Sequence, residues 1–227
     1  KVGWWQQAPY MVTSNLVHRR TQQPIGQRSL YLHDPLTERT VLVLGFLFDT
    51  IDTAVVGSPL VRVEAIYESV ASTWFQTVVQ NTTAYDAILV LAHMSLEDSN
   101  IALLLSSIRQ LTTTTRSSGR KRRRLIPVQF ITGHTHLLQT KVLDACAVAV
   151  ESGKYLETIG LVSFPTKQDV QHHHTNNNNN NSSCLELFSH EILPANIEVL
   201  TQRVNNMNMN MNTNTNTNTT VTTAAAA

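Results

Sequence analysis

Three of the nine histidines in this chain follow apolar runs. His93 closes AILVLAHM, and His134 and His136 follow the run in QFITGHTH. Imidazole is neutral near pH 7, offers a lone pair on one ring nitrogen, and suits first-row ions such as Zn, Fe, Mn or Co. Residues two apart in an extended stretch point the same way, so His134 and His136 are expected to face one pocket. Gly133 gives the backbone freedom to turn beside them. A lone histidine at a strand end is usually just a hydrogen-bonded polar residue, and HxH by itself is a weak pattern. Two apolar runs that both end in imidazole are more specific. Spacing alone leaves a metal site and an ordinary polar rim as the two readings.

The flanking elements must bring those ends together. DAILVLAHM (86–94) and LIPVQFITG (125–133) read as strands buried on both faces. Between them Ile101, Leu104, Leu105, Ile108 and Leu111 form the stripe of an amphipathic helix. Strand, helix, strand is a crossover unit with parallel strands, and it puts both carboxyl ends on one rim. Upstream, YMVTSNLV (10–17) and RTVLVLGFLF (39–48) read as further strands. One helix is expected from about Pro59 to Gln80, on Val63, Ile66, Tyr67, Val70, Trp74 and Val78. CAVAVES and TIGLVSF, parted by Gly153, Lys154 and Tyr155, are expected to pair as a hairpin at one side of the sheet.

Net charge is +1, which disfavours a general polyanion binder, but six basic residues crowd into one run, Arg116 and Arg120 to Arg124. That run has no interleaved aromatics and lies among serine, threonine and glycine, so it reads as a solvated insertion over 112–124. Two cysteines, Cys146 and Cys184, make no disulfide framework and no metal-knuckle spacing. The chain divides into residues 1–165, a His/Asn segment with one short element over 166–204, and an Asn/Met/Thr tail over 205–227 expected to be disordered. His172 to His174 read as a by-product of the repeat tract, not as ligands.

VLAHM and ITGHTH resemble the last two motifs of the calcineurin-like metallophosphoesterases. PYMVTSNL, VLVLGFLFD and VESGKYLETIGLVSF extend the resemblance into the 5'-nucleotidase-like branch, over about residues 9 to 165. The resemblance implies an α/β sandwich of mixed sheets with covering helices, of which this chain holds the C-terminal part. It also implies a dinuclear site in which His93 and His134 ligate one divalent ion and His136 the other. Two ions about 3.5–4 Å apart would then act on a phosphate ester.

The family's Asp-x-His, Gly-Asp-x-x-Asp and Gly-Asn-His motifs precede the strand that YMVTSNL resembles, and this chain lacks them. With a lysine as its first residue, the chain reads as a fragment whose missing N-terminal half completes the site. No catalytic residue and no nucleic-acid or membrane partner is assigned. The alternative reading is a non-catalytic relative that makes contacts through its basic loop. Asp49, Asp52, His18 and His33 read as surface residues, Asn15 as a turn residue bonding the backbone, and Trp4 and Trp5 as cover for apolar surface. Glu151 and Glu157 receive no chemical role.

Overall fold

The computed structural model describes residues 10–48, 60–112, 125–176, 184–196, 198–199, 201–202, 205–206 and 221–223. The basic run, Asp49, Asp52, Trp4, Trp5 and most of the tail lie outside them.

Four apolar runs make the centre of a six-stranded sheet: β3 (Arg39–Leu47), β5 (Ala87–His93), β6 (Val128–Thr132) and β8 (Ala147–Ser152). They pair in parallel in that order. An antiparallel strand closes each side, β2 (Leu30–Asp34) against β3 and β7 (Leu138–Asp144) against β8. Alternate residues of the parallel strands serve different layers, as the twofold period of a strand requires. Leu42, Leu44, Phe46, Ile88, Val90, Val128 and Phe130 pack with helices α1 (Ile66–Ala71), α2 (Thr73–Gln80) and α3 (Ser99–Thr112). Val41, Val43, Leu89, Val148 and Val150 face the opposite layer, where Val162, Phe164 and Phe188 cover them. That layer is a small sheet of β9 (Thr158–Ser163) flanked by β10 (Ser189–Pro194) and β11 (Val221–Thr223). The result is an α/β sandwich with helices on one face of a mixed sheet and a second sheet on the other.

Several sequence expectations change. The strand expected over 10–17 shrinks to β1 (Leu16–His18), which pairs with β4 (Val61–Val63) in a separate two-stranded ribbon. Residues before it are tied to the sheet by polar bonds instead. Ser14 Oγ accepts from Gly45 N at 2.9 Å, and the Asn15 amide bonds both Leu47 N and Leu47 O. The single helix over 59–80 is two, because Ser72 is extended (ψ 148°). Its hydroxyl donates to Ser69 O, which ends α1, and accepts from Phe75 N, which caps α2.

The hairpin of CAVAVES and TIGLVSF does not form. Gly153, Tyr155 and Leu156 take positive φ of 88°, 53° and 58°, and this turn carries the chain from the main sheet into the small one. β8 and β9 therefore face each other across the sandwich. Beyond Pro165, the expected low-complexity segment includes helix α4 (Lys167–Asn176). It starts on the amino ends of β3 and β5: Lys167 Nζ lies 3.3 Å from Asp86, and Asp169 faces the buried Arg39 at 3.6 Å. His172 and His173 thus sit on a helix anchored at the opposite end of the strands from His93. Within the tail, Val221–Thr223 pairs with β9; valine and threonine favour strands, and β9 offers a free edge there. Cys146 and Cys184 are disulfide-bonded with Cα atoms 5.0 Å apart, joining the start of β8 to the 3-10 turn Cys184–Leu187.

Candidate metal centre

β5 and β6 are parallel neighbours, so their carboxyl ends share a rim, and the chain leaves that rim at His93 and at Gly133. The His93 and His134 rings stand edge to face with centroids 5.3 Å apart, and Phe48 at the end of β3 packs on both, at 6.1 and 4.6 Å. An ion with nitrogen ligands at about 2.0–2.1 Å in tetrahedral directions spaces two ring centres roughly 5 Å apart. The pair fits joint ligation of one ion.

The His136 ring packs on Tyr155 with a centroid separation of 5.6 Å. The extended geometry expected for GHTH is absent: His134 has φ 99° and His136 φ 63°, both left-handed, so they do not face one pocket by strand alternation. Among the described residues, no three His, Cys, Asp or Glu side chains are grouped to hold a metal ion. The donor set present here therefore fits part of a metal site and not a closed one.

Electrostatics links the rim residues. Partial desolvation of the ring, and next the imidazole of His134, hold His93 below the usual imidazole range. His136 adds to that effect and Glu151 opposes it. A lowered pKa keeps the ring neutral and its lone pair free, which is the state a metal ligand needs.

Glu151 is the rim residue that sequence reasoning left without a role. It is fully buried, one of its oxygens accepts from Thr135 Oγ1 at 2.7 Å, and Thr135 lies between the two GHTH histidines. The available signal was a carboxylate at the end of an otherwise apolar strand, CAVAVES.

No family model matches the chain. An uncharacterized protein of Schizosaccharomyces pombe is 29% identical over 142 residues, covering 62% of this chain and 21% of its own length. The crystal structure of 5'-nucleotidase from Candida albicans matches with a TM-score of 0.65 at 22% identity, over 86% of this chain and 32% of that one. Sulfate thiohydrolase SoxB of Thermus thermophilus matches at 0.50 and 13% identity, over 81% and 28%. Both of these neighbours are hydrolases by name, and the likeness to them is one of fold. The chain spans about a fifth of the length of the curated relatives it matches.

Proposed function

We propose that this chain is the C-terminal part of a metallophosphoesterase catalytic domain that hydrolyses phosphate esters. The single observation that supports the reading is the His93–His134 pair at the carboxyl rim of two adjacent parallel strands. His93 and His134 would hold one divalent ion and His136 would contribute to a second. Donors from the N-terminal half of the same domain would complete the set. Ions bound there would supply an activated hydroxide and stabilise charge on the phosphoryl oxygens.

The chain's own residues have three tasks. His93 and His134 would offer ring nitrogens to a shared ion, Phe48 packs against both rings, and the left-handed turn at His134 and His136 sets their separation. Because the ligand set here is partial, residues 1–227 alone are expected not to turn over an aryl phosphate.

The test is metal content and aryl phosphate turnover of the full-length protein and of its His93→Ala, His134→Ala and His136→Ala variants. The first two should empty mainly one metal position and the third mainly the other. Each should lower turnover by orders of magnitude. Wild-type metal content and turnover in the His134→Ala protein would refute the proposal.

A further inference from the structure

Asn81, Thr82 and Thr83 form an Asn-x-Thr triplet without proline, the acceptor pattern for an N-linked glycan. The pattern is short, and a chain rich in asparagine and threonine contains it by chance. Three further triplets, starting at Asn180, Asn181 and Asn218, lie outside the described residues. Two conditions separate a used acceptor from a chance one. The asparagine must be exposed in the folded chain, with room for a bulky polar group. The chain must also pass through a compartment in which glycans are attached.

The fold meets the first condition at Asn81. Helix α2 ends at Gln80, and Asn81 caps it with φ −76° and ψ 59°. The turn that follows is held through its backbone. Thr82 N donates to Gln80 O at 2.7 Å, Ala84 N donates to Asn81 O at 3.0 Å, and Lys167 Nζ of α4 donates to Thr82 O at 3.1 Å. Anchored in this way, the turn leaves Asn81 and Thr83 exposed. The Thr83 hydroxyl donates to Asn81 Oδ1 at 3.0 Å, and Asn81 Nδ2 has no hydrogen-bond partner among the described residues. A sugar on Nδ2 would therefore break no bond of the fold, and Oδ1 would still accept from Thr83.

The disulfide meets the second condition. Cys146 and Cys184 are the chain's two cysteines, both are buried, and they are bonded to each other. Structural disulfides form and persist in oxidising compartments such as the lumen of the endoplasmic reticulum and are rare in the cytosol. In a eukaryotic cell that lumen is also where N-linked glycans are attached. The two observations are independent, since the bond lies at the start of β8 and the triplet after α2.

The position also suits a large appendage. The turn leads into the amino end of β5, and His93 is that strand's last residue. At about 3.3 Å per residue, the strand puts roughly 20 Å between the turn and the histidine rim. A glycan on Asn81 would leave the rim open.

We propose that Asn81 carries an N-linked oligosaccharide, attached as the chain passes through an oxidising secretory compartment. In the transfer, Asn81 Nδ2 forms a bond to the anomeric carbon of a lipid-linked oligosaccharide pyrophosphate. The bond from that carbon to the pyrophosphate oxygen breaks, the lipid pyrophosphate leaves with the electron pair, and one amide proton passes to a base. Nothing is oxidised or reduced. The proposal does not depend on the metal-centre reading.

The experiment uses the full-length protein made in yeast. Treatment with a glycan-releasing amidase in heavy-oxygen water, followed by peptide mass spectrometry, should show Asn81 converted to heavy-labelled aspartate. Asn81→Gln and Thr83→Ala should each remove one glycan from the intact mass, whereas Thr83→Ser, which keeps the hydroxyl, should retain it. An Asn81 peptide recovered from the wild-type protein without glycan overturns the proposal, and this holds even if the variants do not fold. Glycan confined to the triplets at Asn180, Asn181 or Asn218 overturns it as well.

Discussion

Reducing the Cys146–Cys184 disulfide should cost this domain a large part of its stability. The bond closes a sequence separation of 38 residues that contains β9 and α4. Removing the cross-link returns loop-closure entropy to the unfolded chain, and for that length the chain-entropy relation gives about 4 kcal/mol at 25 °C. Both residues are buried, and the bond holds the 3-10 turn beside Phe188, which covers the main sheet next to Val148 and Val150. In a domain of this size each kcal/mol moves the melting temperature by about 2–4 °C, so reductant should lower it by about 8–16 °C. Comparing oxidised and reduced wild-type protein changes no side-chain volume, which separates the cross-link from a cavity effect. The assay is thermal unfolding with and without reductant, with peptide mass spectrometry to establish the bonded state. A verified bond whose reduction changes stability by less than about 1 kcal/mol would refute the entropic reasoning. Two free thiols in the folded, air-exposed protein would refute the pairing itself.

Two further outcomes follow from packing and charge. Arg109 Nε and Nη2 donate to Asp144 at 2.7 and 3.1 Å; burial pushes the Asp144 carboxyl up, but bonds from Arg109 and Cys146 N together with the Arg109 charge outweigh it, and the pKa is lowered. A lowered carboxyl pKa stabilises the fold above its unfolded value of about 3.9 and loses that contribution as pH falls through the folded value. Asp144→Asn should therefore cost about 1–3 kcal/mol at neutral pH and flatten the acid limb of a urea-unfolding series. A Cβ at Gly45 would stand 2.6 Å from Val12 O, a backbone atom, so Gly45→Ala should cost about 1–3 kcal/mol in the same assay, and an unchanged midpoint would contradict the close approach.

The strongly periodic elements were legible in the sequence. β3, β5, β6 and α3 carry apolar patterns that propensity and burial both favour, and the rim holding His93 and His134 follows from the crossover between them. What escaped was set by single polar residues or by distant partners. Ser72 splits a helix whose apolar spacing runs on unbroken, because its hydroxyl serves both ends. β7 escaped because, as an edge strand with Leu138, Thr140 and Val142 exposed, it lacks a buried face to mark it. The placement of β8 and β9 in different sheets depends on left-handed residues other than glycine, Tyr155 and Leu156, which sequence patterns do not reveal. His136 was expected to share a pocket with His134 through strand alternation, which the left-handed turn removes. The disulfide joins residues brought together only when the 184–194 segment folds back. Glu151 was visible as a carboxylate, but its burial beneath Thr135 was not.

The pairing of the sheet has a consequence for the order in which the domain assembles. Its two outer pairs are local: Asp34 meets Arg39, and Asp144 meets Ala147, across short turns. The inner pairs are not, since Val41 must find Ala87 and Ile88 must find Val128 through whole crossover units. Pairings between distant parts of a chain gain their contacts only after the closure entropy has been spent, so they form late and slowly. His93 and His134 stand at the end of one of those late pairs. A chain arrested early would own both borders of its sheet and no metal rim between them, and far-ultraviolet dichroism would report strand while the ligands were still apart.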